Sequence, residues 1–413
     1  MQQQRSSLAR LVVAAVLGIA MAVGGTAPAW SSDHFDSPAM TANPQADIAD
    51  IYAWTTPAEH RLNLVMTVVG HSFSDRLRYG FHIDSGKAFG RTTASTTITC
   101  SFPEPKLADC RLGTVDSVRG DASKTDGIAG RHHRFRVFAG LRDDPFYNNI
   151  KGSMGAYGAA AAAVKTGATA VDGAGCALLD PATVREVAEQ WRHTDGGPGT
   201  NLLANWTASA IVISVDLVVV SRGGPILAVW GVTSTSNRVL DRMARPFVAN
   251  TLLGDAPFSA DEPSGAEREA FNSVGKAGEP HYAALIEKSL AFQDSLDGKC
   301  GNQLLADKAS ASPARYQALA RMFADDRLWV NSAAPVCDQL FAVELAALAR
   351  LDAYGRDCGG RSPVLDMPNM WRSLLVTGTT QDTPWDGLRG DEHPPSAAVF
   401  PFLAPPDPHG VDH

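Results

Sequence analysis

The sequence predicts an α+β protein: a β-sandwich-like core of mostly antiparallel strands with a C-terminal helical subdomain. Three features predict it. Between residues 61 and 140 the apolar side chains recur with a period of two; residues 210–220 and 226–233 are nearly unbroken apolar runs; and beyond residue 280 the apolar period changes to 3.6.

In the first stretch Leu62, Leu64, Met66 and Val68 alternate with more polar neighbours, and Leu77, Tyr79, Phe81 and Ile83 alternate with Arg78, His82 and Asp84. This is the pattern of strands with one dry and one wet face. Residues 92–102 are rich in β-branched side chains, and Phe135, Val137 and Ala139 close the series against Arg134 and Arg136. Gly, Ser, Pro and Asp fill the breaks, as turns require. The two later runs lack polar alternation and should be buried on both faces. The break between them, Ser221-Arg222-Gly223-Gly224-Pro225, predicts a hairpin-like return.

Helical signals follow. Asp180-Pro181 predicts a capped helix reaching His193, with the acid as N-cap and proline at the first helical position. Tyr282, Leu285, Phe292 and Leu296 share one face of a helix over 280–297, Ser312-Pro313 opens another reaching about Trp329, and 337–354 reads as a fourth. Residues 152–167, rich in Ala and Gly, read as a poorly packed helix or a flexible insertion, and the proline-rich tail as an extended surface segment. The predicted layout is a leader at 1–29 and one domain over 30–413. Its strand-rich core spans about 45–275 with a helical insertion at about 152–195, the helical part spans 280–378, and the tail 394–413.

The leader assignment rests on Arg5 and Arg10, an apolar run over 11–23, and the small-residue exit Ala27-Pro28-Ala29, the layout of a cleavable signal peptide. The run is short for a spanning helix, which needs roughly 20 apolar residues. A periplasmic or secreted product, free of the membrane after cleavage, is expected. The chain carries formal charge −8, and the leader holds two arginines and no acid, so the mature protein is predicted at −10. That charge, with no basic cluster interleaved with aromatics, argues against nucleic acid as a partner and leaves a small molecule or a protein.

All six cysteines fall after residue 29, and an even number in an exported chain predicts disulfides. Cys100 and Cys110 flank a short turn-rich segment and are predicted to staple adjacent strands. Reading 337–354 as one helix separates Cys337 from Cys358, because a helix rises about 1.5 Å per residue and disulfide Cα atoms lie within about 7 Å. A fold-back of the preceding helix would bring Cys358 near Cys300 and leave Cys176 with Cys337, an expectation chosen among fifteen connectivities.

Chemistry could sit in two acidic clusters. Asp33, His34 and Asp36, followed by Asp47 and Asp50, lie near the processed N-terminus; Asp143 and Asp144 follow the strand ending at Gly140. Neighbouring carboxylates repel unless solvated or neutralised, and calcium, with its six to eight oxygen ligands, is a natural neutraliser; an imidazole among them points instead to zinc or iron. The expectation is a structural divalent cation bridged by Asp33, Asp36, Asp143 and Asp144 with His34 nearby. The same acids also read as turn and helix caps in a solvated segment. His132 and His133 are adjacent on the chain and read as surface residues, because consecutive strand side chains face opposite ways. His71 and His82 read as hydrogen-bonded core or rim residues, with haem ligation in a sandwich pocket as the alternative. No Gly-x-Ser-x-Gly, phosphate loop, His-Glu-x-x-His or dinucleotide fingerprint occurs.

Seven ordered blocks resemble the exported bacterial family termed domain of unknown function 4331. They are Ser32-Asp33-His34 to Pro38; Ala46-Asp47-Ile48-Ala49-Asp50-Ile51-Tyr52-Ala53-Trp54; Phe138-Ala139-Gly140 with Asp143-Asp144-Pro145-Phe146; and Ala228-Val229-Trp230-Gly231-Val232-Thr233-Ser234. Arg242-Met243-Ala244-Arg245-Pro246 with Asn250, Phe271-Asn272, and Phe400-Pro401-Phe402-Leu403-Ala404-Pro405-Pro406 complete the set. The chain departs from the family pattern at Asn43-Pro44, at Trp54 and at Ser214-Val215-Asp216. The resemblance implies an exported domain spanning nearly the whole mature chain and brings no reaction with it. The reading is a cation-stabilised binding or scaffold protein, with a metal-dependent enzyme or a haem-binding redox carrier as the alternative.

Overall fold

The computed structural model describes residues 37–167, 169–253, 265–274, 279–380 and 385–407. The period-two region becomes strands β1 (Ile48–Thr56), β2 (Arg61–Val68), β3 (Arg78–Ala88), β4 (Arg91–Glu104), β5 (Leu107–Leu112), β6 (Asp116–Asp121), β7 (Ile128–Ala129) and β8 (Phe135–Asp143). The later apolar runs give β9 (Thr207–Asp216) and β10 (Ile226–Ser234), joined by β11 (Val239–Met243) and β12 (Leu328–Asn331). Every strand pairing is antiparallel.

Two sheets result. One runs β1-β2-β9-β8-β7; the other runs β11-β10-β3-β4-β5-β6, with β12 also on β10. Their inner faces share one core, in which Tyr52, Leu64 and Met66 of the first sheet belong with Phe81, Ile83 and Ile98 of the second. The alternation of Tyr79, Phe81 and Ile83 with exposed Arg78 and half-buried His82 and Asp84 places those three inward, each at most 1 % exposed. At Gly231 the two sheets approach closely: an added Cβ would lie 2.4 Å from Ile51 Cδ1 and 2.9 Å from Met66 Cε. Gly231→Ala should therefore cost about 1–3 kcal/mol through overpacking. An unchanged urea midpoint would show that the sheets separate freely there.

The helices form two further cores. Helix α1 (Ile150–Lys165) packs on α2 (Pro181–Arg192) around Ala156, Tyr157, Ala160, Val187 and Trp191. The Ala/Gly-rich composition thus serves close packing: a Cβ on Gly155 would sit 2.6 Å from Gln190 Oε1. Asp180 caps α2 as expected, accepting the amides of Ala182 and Thr183. Helices α3 (Gly265–Val274), α4 (Glu279–Ser295), α5 (Gln317–Ala324), α6 (Ala342–Leu348) and α7 (Met367–Arg372) make up most of the helical part. Tyr282, Ile286, Leu290, Phe323 and Trp371 lie in its core. Among the described residues no helix is long and apolar enough to cross a membrane.

Five expectations are corrected. Residues 221–225 do not return a hairpin; β9 and β10 lie in different sheets, so the Gly-Gly-Pro segment carries the chain from one layer to the other. The helix expected to reach Trp329 stops at Ala324, and Leu328–Asn331 becomes a strand because Leu227 to Val229 of β10 offer it a free edge. The helix expected over 337–354 shrinks to Ala342–Leu348, bounded by left-handed backbone at Phe341 (φ 61°) and Arg350 (φ 56°). That shortening folds Cys358 back onto Cys337 at a Cα separation of 4.7 Å. The pairs are Cys100–Cys110, as expected, with Cys176–Cys300 and Cys337–Cys358 in place of the other two expected bridges. Complete pairing of all six is chemistry suited to an oxidising, extracytoplasmic compartment. Finally, the tail is not confined to the surface: Phe402 and Leu403 are 4 % and 5 % exposed, and Phe402 packs edge-on against Trp54 with ring centroids 4.8 Å apart.

Candidate functional site

Strand β8 ends on the acid pair, and the chain there is fixed on both sides. The Asp143 amide donates to the Ala404 carbonyl at 3.2 Å and the Asp144 amide to the Trp206 carbonyl at 3.1 Å. Consecutive residues face opposite ways, so the two carboxyls enter different surroundings.

Asp144 turns inward. Tyr52 Oη donates to its Oδ1 at 2.8 Å and Thr67 Oγ1 to its Oδ2 at 2.5 Å, so both oxygens are engaged. Burial pushes its carboxyl up to about 7, and the charge of Asp50 adds to this; the Thr67 and Tyr52 hydrogen bonds and the Arg361 guanidinium oppose it. Arg361, 1 % exposed, pairs with Asp50 and lies over the Tyr52 ring at 4.1 Å. Asp50 is thus part of an interior ion network.

Asp143 faces the C-terminal tail. It is 2 % exposed, its Oδ1 lies 3.4 Å from His393 Nδ1, and its carboxyl is within hydrogen-bonding reach of that of Asp391. Asp143 Oδ2 and Asp391 Oδ2 are both buried, and neither receives a hydrogen bond. Burial raises both acids above the carboxylate range; for Asp391 the facing Asp143 adds to it, and Glu392 raises both. Two carboxyls in contact need a proton or a cation between them, since both are acceptors when ionised. His393 Nε2 also lies 3.7 Å from Asp407, which brings a further acid to the same corner.

Asp143 and Asp144 adjoin but serve different networks, while Asp33, His34 and Asp36 lie outside the described residues. Among the described residues no group of three or more His, Cys, Asp or Glu side chains is arranged to hold a metal ion. His132 and His133 are exposed, as expected, and so is His71. His82 stacks on Trp230 at 5.0 Å between ring centroids. Asp391, Glu392, Asp407 and Arg361 were not among the expected site residues. The one signal that could have found the first two is the Asp-Glu-His run directly before Pro394-Pro395, dense in charge for a surface tail.

No family model, curated protein or solved structure matches the chain.

Proposed function

We propose that this is an extracytoplasmic binding or scaffold protein of the family its ordered blocks resemble, exported by the leader at 1–29 and stabilised by a divalent cation, calcium by preference, at the Asp143 corner. The observation that carries the reading is the Asp143–Asp391 contact: two carboxyls within hydrogen-bonding reach, each with one buried oxygen that receives no hydrogen bond. A hard cation there would replace the shared proton between Asp143 and Asp391, and the charges of Glu392 and Asp407 would favour it. Asp144, with both oxygens already bonded, would act through its charge and not as a ligand. Asp33, Asp36 and His34 are the candidates for the remaining positions. Such an ion would clamp the tail onto the end of β8, next to the hydrogen bond that the Asp143 amide donates to the Ala404 carbonyl.

Metal analysis and melting curves test this. The purified protein should carry about one equivalent of metal, melt at lower temperature in chelator and recover with calcium. Asp143→Asn supplies a donor toward Asp391, so that variant should fold, bind no metal and lose its sensitivity to chelator. Absence of stoichiometric metal together with an unmoved melting temperature would leave a shared proton as the occupant and end the proposal.

A further inference from the structure

The open edge of β10 is shared by two strands. Its residues Ile226 to Val229 pair with β12, and Gly231 to Ser234 pair with β11, so Trp230 falls at the junction with no partner on that side. On its other side it sits directly opposite His82 of β3. Because Gly231 faces the core, Trp230 and His82 project from the outer face of the sheet, their rings stacked within 9° of parallel.

Asp326, in a left-handed turn (φ 34°), holds the two strand ends apart and in place. Its Oδ2 accepts from Arg242 at 2.7 Å and its Oδ1 from the Arg245 amide at 2.7 Å. A cleft of about 340 Å³ opens over the junction, with walls from Asp84, Arg242, Asp325 and Arg327 around Trp230 and His82. This volume falls within the range of small-molecule sites.

The polar chemistry narrows the occupant. Arg242 is matched by Asp326, and Arg327 binds Asp325 at 2.6 Å with Asp84 at 3.7 Å. Each guanidinium already has its carboxylate, so an anion would find no spare positive charge. Burial lowers the pKa of His82, which leaves a neutral imidazole able both to donate and to accept. The cleft therefore combines a half-buried aromatic stack with alternating donors and acceptors and no net charge to offer. Flat C–H faces carrying many hydroxyls fit that combination.

We infer that the cleft at the β11/β12 junction binds a neutral carbohydrate ring, seated against Trp230 and His82 and hydrogen-bonded by Asp84, Asp325, Arg242 and Arg327. This site uses other residues and the other sheet from the Asp143 corner, so either reading can fail alone.

The test is titration of the purified protein with neutral hexasaccharides built of β-1,4-glucose, α-1,4-glucose, β-1,4-xylose or N-acetylglucosamine, with hexagalacturonate as the anionic control. Calorimetry and tryptophan fluorescence report binding. At least one neutral sugar should bind saturably, at a Kd of about 1 mM or tighter. Trp230→Ala should weaken that by tenfold or more with an unchanged melting temperature. Trp230→Phe, which keeps a ring, should retain most of the affinity and guards against misfolding of the alanine variant. Binding of none of the four neutral sugars, equal or tighter binding of hexagalacturonate, or full affinity in Trp230→Ala would overturn the inference.

Discussion

Replacing Arg361 with methionine should destabilise the protein by roughly 3–5 kcal/mol, the scale of removing one partner from a buried ion pair. Arg361 and Asp50 are each about 1 % exposed at the side chain, and Asp144 lies in the same interior network. Methionine fills similar space but leaves two buried acids without the guanidinium between them, and neither can reach water to recover its solvation. The backbone at Arg361 is bonded to Ala53 in both directions, at 2.9 Å each, so the strand contact should persist and the loss should come from the charge. Urea unfolding measures it. The combined variant Arg361→Met with Asp50→Leu should recover most of the loss, because a buried pair replaced by apolar groups is often neutral. A single-variant cost below about 1 kcal/mol would place the pair among solvated surface bridges.

That network shows where the chain could be read and where it could not. Leu62 to Val68 and Leu77 to Ile83 announce their strands because sheet geometry imposes period two on any strand with one wet face. Asp180-Pro181 announces α2 for an equally local reason. The run Leu328 to Val330 carries no such information: three apolar residues continue a helix or start a strand equally well, and the decision lies with the edge of β10, a hundred residues earlier. The Gly-Gly-Pro break after β9 marks a turn, but a turn signal does not say whether the next strand joins the same sheet or the opposite one. The site divides in the same way. Asp143 was legible as an acid at a strand end; its partner Asp391 is 248 positions away in a segment whose prolines suggest a surface tail. Segments far apart in the sequence also meet in space: the Ile48 amide donates to Asp241 beside Arg242, Asn272 donates to the same carboxylate, and Phe402 packs on Trp54.

Removal of the Cys176–Cys300 bridge as a double alanine variant should cost more than removal of either of the others. Loop-closure entropy scales with the logarithm of the closed length. The three bridges span separations of 124, 21 and 10 residues, for Cys176–Cys300, Cys337–Cys358 and Cys100–Cys110 in turn. Chain entropy alone then assigns roughly 5, 3.5 and 3 kcal/mol in that order. The position of the long bridge adds a local signature. Cys176 leads from α1 into α2, Cys300 follows α4, and the carboxylate of Asp172 beside the bridge accepts from Arg315 at 2.6 Å. Without the bridge that ion pair, 10 % and 23 % exposed, remains, while the buried hydrogen bond from Arg372 to Ser153 at 2.6 Å ties the start of α1 to the helical part. Hydrogen exchange should therefore accelerate first in α1 and α2 while β2, β8 and β9 stay protected. Cys100–Cys110, between paired neighbours in β4 and β5, should leave exchange elsewhere unchanged when removed. Equal losses from all three removals, or uniform acceleration across the chain, would mean that the helical insertion and the sandwich unfold as one unit and that the long bridge sets no boundary between them.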